Sequence, residues 1–102
     1  MNLGKLMKQA QEMQQKMAVL QEELGKKEIE ATSGGGMVRV KMNGRQEVLG
    51  VRIDPQVFAD GDREMLEDLV TAAFNEARRM SLELAKEEMS KLTGGLPIPG
   101  LF

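Results

Sequence analysis

At 102 residues the chain is one domain by length, and its three aromatic residues, Phe58, Phe74 and Phe102, leave little bulk for a large core. It has no cysteine and no histidine, which excludes disulfides, thiolate and imidazole metal sites, and the usual general base at neutral pH. The net charge of −2 is uneven: residues 1–27 carry +2, residues 28–53 carry +1 and residues 54–102 carry −5.

The first element is a helix. Leu3, Leu6, Ala10, Met13, Met17, Leu20 and Leu24 are spaced alternately by three and four, an a/d heptad pattern without exception. Gln, Glu and Lys fill most other positions and favour helix. Gly25 is expected to stop it, with Lys26 and Lys27 complementing the dipole. At about 1.5 Å per residue the helix is about 35 Å long, more than a small sheet needs for cover. Part of it should project, and its seam needs a partner.

From Glu28 to Ile53 the period changes to two. Ile29 and Ala31 alternate with charged or polar neighbours, then Val38, Val40 and Met42 do so, then Leu49, Val51 and Ile53. Ser33–Gly36 reads as a four-residue loop and Asn43-Gly44 as a two-residue type I′ hairpin turn. Those turns predict Thr32 opposite Met37, Ile29 opposite Val40, Met42 opposite Arg45 and Val38 opposite Leu49. The alternating apolar residues then share one face. On the other, Glu30 faces Arg39 and Glu28 faces Lys41. Asp54-Pro55 ends the third strand and opens a short turn.

Asp62 is a natural N-cap for a last helix, with Glu64 and Glu67 near its positive end. Leu66, Val70, Ala73, Ala77, Met80 and Leu84 form its stripe, and Gly94-Gly95 stops it. The segment from Leu96 to Phe102 is apolar and carries two prolines. One domain follows: a helical arm at 1–25, a sheet at 28–53, a helix at 62–92 and an apolar tail at 93–102. The fold class is α+β, an α-β-β-β-α protomer with a three-stranded antiparallel meander and two long projecting helices. No run of about 18 apolar residues suggests a membrane span, and residues 1–10 lack the apolar core of a signal peptide.

Few residues invite a chemical role. Glu22/Glu23, Glu67/Asp68 and Glu87/Glu88 are adjacent pairs, which diverge on a helix. Ser33, Ser81 and Ser90 have no histidine to activate them. Gly34-Gly35-Gly36 lies between strands with no Gly-Lys-Ser after it, so it reads as a loop with positive φ rather than a phosphate loop. No catalytic residue, metal or cofactor is expected. The bases are more telling. Lys5, Lys8 and Lys16 lie off the seam of the first helix. Arg78 and Arg79 form the one concentrated basic spot of the last helix, with Lys86 two turns beyond Arg79. No aromatic side chain interleaves with these six, so phosphate contact to a duplex is the route they offer.

Several short segments, in order, resemble the YbaB/EbfC family of bacterial nucleoid-associated proteins. They are Lys8-Gln9-Ala10-Gln11-Glu12-Met13-Gln14, Gly34–Val40, Asn43-Gly44, Ile53-Asp54-Pro55, Leu66–Leu69, Ala72–Ala77 and Gly94-Gly95-Leu96-Pro97. The resemblance implies a cytoplasmic, nucleoid-located homodimer whose helices project like tweezers. It implies binding to double-stranded DNA that changes its conformation, with effects on nucleoid organisation and gene expression. Family members are often encoded beside recombination-repair genes, which adds DNA-repair proteins as partners; no membrane or small-molecule substrate is implied. The family has no short signature for DNA contact, so Lys5, Lys8, Lys16, Arg78, Arg79 and Lys86 stand as candidates from charge and position alone. The net acidity, the methionine-rich seams and the apolar tail also fit an alternative, an interaction adaptor in repair or replication without strong DNA binding of its own.

Overall fold

The computed structural model describes residues 2–59 and 61–94, so the apolar tail lies outside the described residues from position 95 onward. Asn2 caps the first helix, α1 (Leu3–Lys26), its Oδ1 accepting from Lys5 N at 3.2 Å. Gly25 does not end α1. It stays helical, and the chain leaves at Lys27 in extended backbone. Three strands follow, β1 (Glu28–Ser33), β2 (Val38–Asn43) and β3 (Val48–Ile53), in the antiparallel order β1-β2-β3. A one-turn helix, α2 (Pro55–Ala59), precedes the long α3 (Arg63–Thr93). Asp62 caps α3 through Met65 N at 2.9 Å, and Gly94 closes it at φ 65°. The α-β-β-β-α arrangement is therefore present, with α2 as a small addition.

The strand partners differ from those the turns predicted. Ile29 faces Met42 and Ala31 faces Val40, while Val38 faces Ile53 and Val40 faces Val51. The shift is two residues between β1 and β2 and four between β2 and β3 from Val38 to Lys41, so side chains there keep their faces; beyond the bulge Met42 faces Val48, an odd shift of three. The predicted ion pairs form, but diagonally: Arg39–Glu30 at 3.1 Å and Lys41–Glu28 at 3.8 Å. The β1–β2 loop comprises Gly34–Met37, with Gly34, Gly35 and Gly36 all at positive φ.

The second hairpin is not a type I′ turn. Gly44 has no positive φ; Gln46 does, at 63°. Gln46 N donates to Asn43 O, and Asn43 N donates to Glu47 O at 3.0 Å. This is a three-residue loop with a left-handed last residue, and a bulge follows between Lys41 and Met42. Gly44 is small for another reason. Its N donates to Leu24 O at 2.9 Å, and a Cβ there would stand 2.9 Å from Leu24 Cδ2.

The core forms in two parts. Ala31, Val38, Val40 and Met42 pack under Ala73 and Ala77 of α3, with Leu66, Leu69, Val70 and Phe74 around them. Leu20 and Leu24 of α1 pack on Ala85 and Met89 of α3, with Met17, Leu84 and Leu92 around them. The two helices do not share the sheet. α3 covers β1 and β2 with its first half and carries α1 on its second. Hence α1 runs past the end of α3. The radius of gyration of the chain, 19.0 Å, exceeds the roughly 13 Å of a globular chain this size, and the molecule measures 69 × 21 × 17 Å.

Candidate nucleic-acid interface

The projecting part of α1 places three of the six candidates together. At 100° per residue, Lys5, Lys8 and Lys16 fall within about an 80° sector, on the flank away from the apolar seam. All three are exposed. Among the described residues none lies within 4 Å of a carboxylate. Glu12 is the single acid in residues 2–16. Residues 2–16 thus carry a net charge of +2, and the three lysines are uncommitted.

The candidates on α3 are placed differently. Arg79 is held by Glu76, with Nη2–Oε1 at 2.7 Å and Nε–Oε2 at 3.1 Å. The hydrogen bond to Arg79 pulls the Glu76 carboxyl below its ordinary range, and the same bond raises the Arg79 guanidinium further. Lys86 shares the face of Arg79, and Glu83 lies one turn from each. Arg78 is exposed and turned to the side. By helix rise, Arg78 and Lys5 are about 40 Å apart along the long axis. One protomer does not join the two groups into one patch.

The corrected register reveals a base that sequence spacing hid. Arg52 lies directly opposite Arg39 on the outer face of the sheet. It meets no carboxylate within 4 Å among the described residues, whereas Arg39 is shared with Glu30. Arg39, Lys41 and Arg52 thus face solvent against Glu28 and Glu30, a weaker excess than the arm offers. Only the correct β2–β3 pairing brings Arg52 and Arg39 together.

The arm is fastened at its base by Glu88. Its carboxylate accepts from Lys27 Nζ at 2.6 Å and Lys91 Nζ at 3.3 Å, with the Glu88 side chain 13% exposed. The hydrogen bond from Lys27, then that from Lys91, holds the carboxyl below its ordinary 4.5. A depressed folded-state value means stability that is present above the ordinary carboxylate range and lost as pH falls through the lowered value. Glu88→Gln is therefore expected to melt below the parent at neutral pH. The gap should narrow steadily in melts taken below about pH 4.5; a gap independent of pH would show that the charge is not what fastens the arm.

Among the described residues there is no group of three or more potential metal-binding side chains, and no helix is long and apolar enough to cross a membrane.

The family model described as the YbaB/EbfC DNA-binding family matches residues 1–96. A nucleoid-associated protein of Pelotomaculum thermopropionicum is 50% identical over 99% of this chain and 96% of its own. One from Syntrophobacter fumaroxidans is 56% identical over 93% and 86%, and one from Clostridium novyi is 52% identical over 100% and 90%. Among solved structures, an uncharacterized protein of Helicobacter pylori superimposes with a TM-score of 0.83. It is 25% identical, over 91% of this chain and 98% of that one.

Proposed function

The chain belongs to the YbaB/EbfC DNA-binding family, and from that premise we propose that it is a nucleoid-associated protein that binds duplex DNA as a homodimer and alters its conformation. The observation that carries the reading is the α1 arm. Three uncommitted lysines lie on one flank of a helix that projects beyond the body of the protein. Phosphate contacts fix position without reading bases, so binding should be broadly tolerant of sequence. Two arms from two copies, set against successive turns of a duplex, would bend or stiffen it and so affect nucleoid organisation and gene expression. The nucleoid in the cytoplasm is the matching location. The reading includes no catalytic step. The adaptor alternative has no comparable support, though contact with DNA-repair proteins is compatible with DNA binding and is testable separately by pull-down.

The test is a fluorescence anisotropy titration of a labelled duplex at two salt concentrations. Affinity should fall steeply as salt rises. Absence of binding to any duplex at low salt would refute the proposal.

The homodimer has a surface to form on. β3 is an edge strand, and α3 covers β1 and β2 instead. Val48, Leu49 and Val51 of β3 are 43–48% exposed, and Phe58 on α2 is 64% exposed. An unpaired apolar edge invites a second copy, and a twofold arrangement matches each patch with itself. Val51→Lys places a charge there and is expected to halve the mass measured by analytical ultracentrifugation. An unchanged dimer would place the interface elsewhere.

A further inference from the structure

We propose that Arg39 and Arg52 form a phosphate-binding site on the outer face of the sheet, separate from the α1 arm. The two are direct partners across the β2–β3 ladder, so their side chains leave the sheet on the same face. Like charges directly opposite are unfavourable in a sheet, and the nearby carboxylates do not neutralise this pair. Glu30 takes Nη1 of Arg39 at 3.1 Å, and Glu28 is spent on Lys41. Arg52 meets no carboxylate within 4 Å among the described residues. An oxyanion between the two guanidiniums replaces the repulsion with charge-assisted hydrogen bonds, and the planar fork of arginine matches the geometry of phosphate.

The surroundings suit that ligand. Arg39 and Arg52 line one depression of about 340 Å³ together with Gly36 and Asp54, against the roughly 30 Å³ that a water occupies in the liquid. Arg39 is held from two sides, by Glu30 and by the β1–β2 loop, where a Cβ at Gly36 would stand 3.0 Å from its Nη2. Asp54 is the one carboxylate of the lining, and its Oδ1 accepts from Gln56 N at 2.9 Å. Two guanidiniums therefore outweigh one engaged acid. Beside the pair, Gly50 stands opposite Lys41 on the same face. It has no positive φ, and a Cβ there would meet nothing within 4 Å. The fold does not require glycine at this strand position, and bare backbone there lets a ligand lie close against Arg52 and Lys41. By helix rise the site is about 50 Å from Lys5, so arm and sheet meet phosphate independently. Two sources supply such a group, the duplex backbone and a free phosphate.

The arginine Nε–H resonances of the full-length protein read the site directly. Inorganic phosphate, added at an ionic strength held constant with chloride, should shift Arg39 and Arg52 together along one saturating curve. Arg63 and Arg79, paired with Glu67 and Glu76, should stay in place. Phosphate should also raise the melting temperature. Arg52→Gln relieves the like-charge contact. It should melt no lower than the parent without phosphate, lose the phosphate-dependent rise and leave Arg39 unresponsive. A short duplex added to the variant with Lys5, Lys8 and Lys16 replaced by alanine separates the sources. A shift of the same two resonances assigns the site to the DNA backbone; a response to inorganic phosphate alone assigns it to free phosphate. Because inorganic phosphate suffices for the first reading, this site can fail while the arm binds DNA, and the reverse. Arg39 and Arg52 resonances that move no more than those of Arg63 and Arg79 would overturn the proposal. So would an undiminished response of Arg39 in Arg52→Gln.

Discussion

Replacing Lys5, Lys8 and Lys16 together with alanine is expected to flatten the salt dependence of duplex binding. A dimer presents six such lysines. If each neutralises one phosphate, the logarithm of affinity falls with that of salt with a slope of about −5, roughly a thousandfold between 50 and 200 mM. The triple variant should lose most of that slope and bind weakly at low salt. Alanine is the best helix former, so circular dichroism should show α1 unharmed and separate lost charge from lost fold. Arg79→Ala is the informative contrast. Glu76 already holds that guanidinium at 2.7 Å, so Arg79→Ala removes a base whose charge is already neutralised and leaves the Glu76 carboxylate in place. It should change the slope by less than one. A larger effect from Arg79→Ala than from the triple variant would move the interface from the arm to the middle of α3.

The contrast between these two groups shows where reading a sequence succeeds. The heptad of α1 and the alternation in the strands are repeated signals, and both elements formed. The faces of β1 and β2 came out correctly although the strand partners did not, because pleating repeats every two residues and the errors were even as far as Lys41. Beyond the bulge the pairing of Met42 with Val48 is off by three, and Leu49 and Val51 of β3 are exposed rather than covered. The errors came from single residues. Asn43-Gly44 matches a type I′ turn in composition, yet Gly44 is glycine because Leu24 approaches it, and Gln46 takes the positive φ that nothing in its type announces. A contact between residues twenty apart cannot be read from a dipeptide. The same error concealed Arg52 beside Arg39. By contrast, the Glu76–Arg79 pair follows from i,i+3 spacing and was open to inspection. The freedom of Lys5, Lys8 and Lys16 is a tertiary fact, since it depends on α1 outrunning α3.

The largest expected loss of stability is at Asn43, where α1, the second hairpin and α3 meet. Asn43 is 3% exposed. Its Nδ2 donates to Gly25 O at 3.1 Å and Glu47 Oε1 at 2.9 Å, and its Oδ1 accepts from Arg45 N at 2.9 Å and Glu47 N at 3.0 Å. Ser81 of α3 completes the junction. Fully buried, it donates to Asn43 O at 2.8 Å and accepts from Gln46 N at 3.2 Å. Asn43→Ala removes the side-chain half of this network and leaves Gly25 O, Arg45 N and Glu47 N to find water in a tight corner. At about 1 kcal/mol for each of the three backbone groups, the loss is about 3 kcal/mol. For a domain of this size that lowers the melting temperature by roughly 15 °C. Asn43→Asp provides the sharper reading. It keeps the two acceptor bonds but turns a carboxylate toward Gly25 O and the Glu47 carboxylate. Burial among acceptors raises its folded-state pKa, so the variant should be poor at neutral pH and regain stability as pH falls through that raised value. The direction is opposite to that expected for Glu88, so the two variants test the sign as well as the size. Melting curves of Asn43→Ala and Asn43→Asp that overlay the parent at neutral pH would mean that this junction does not set the direction of the arm.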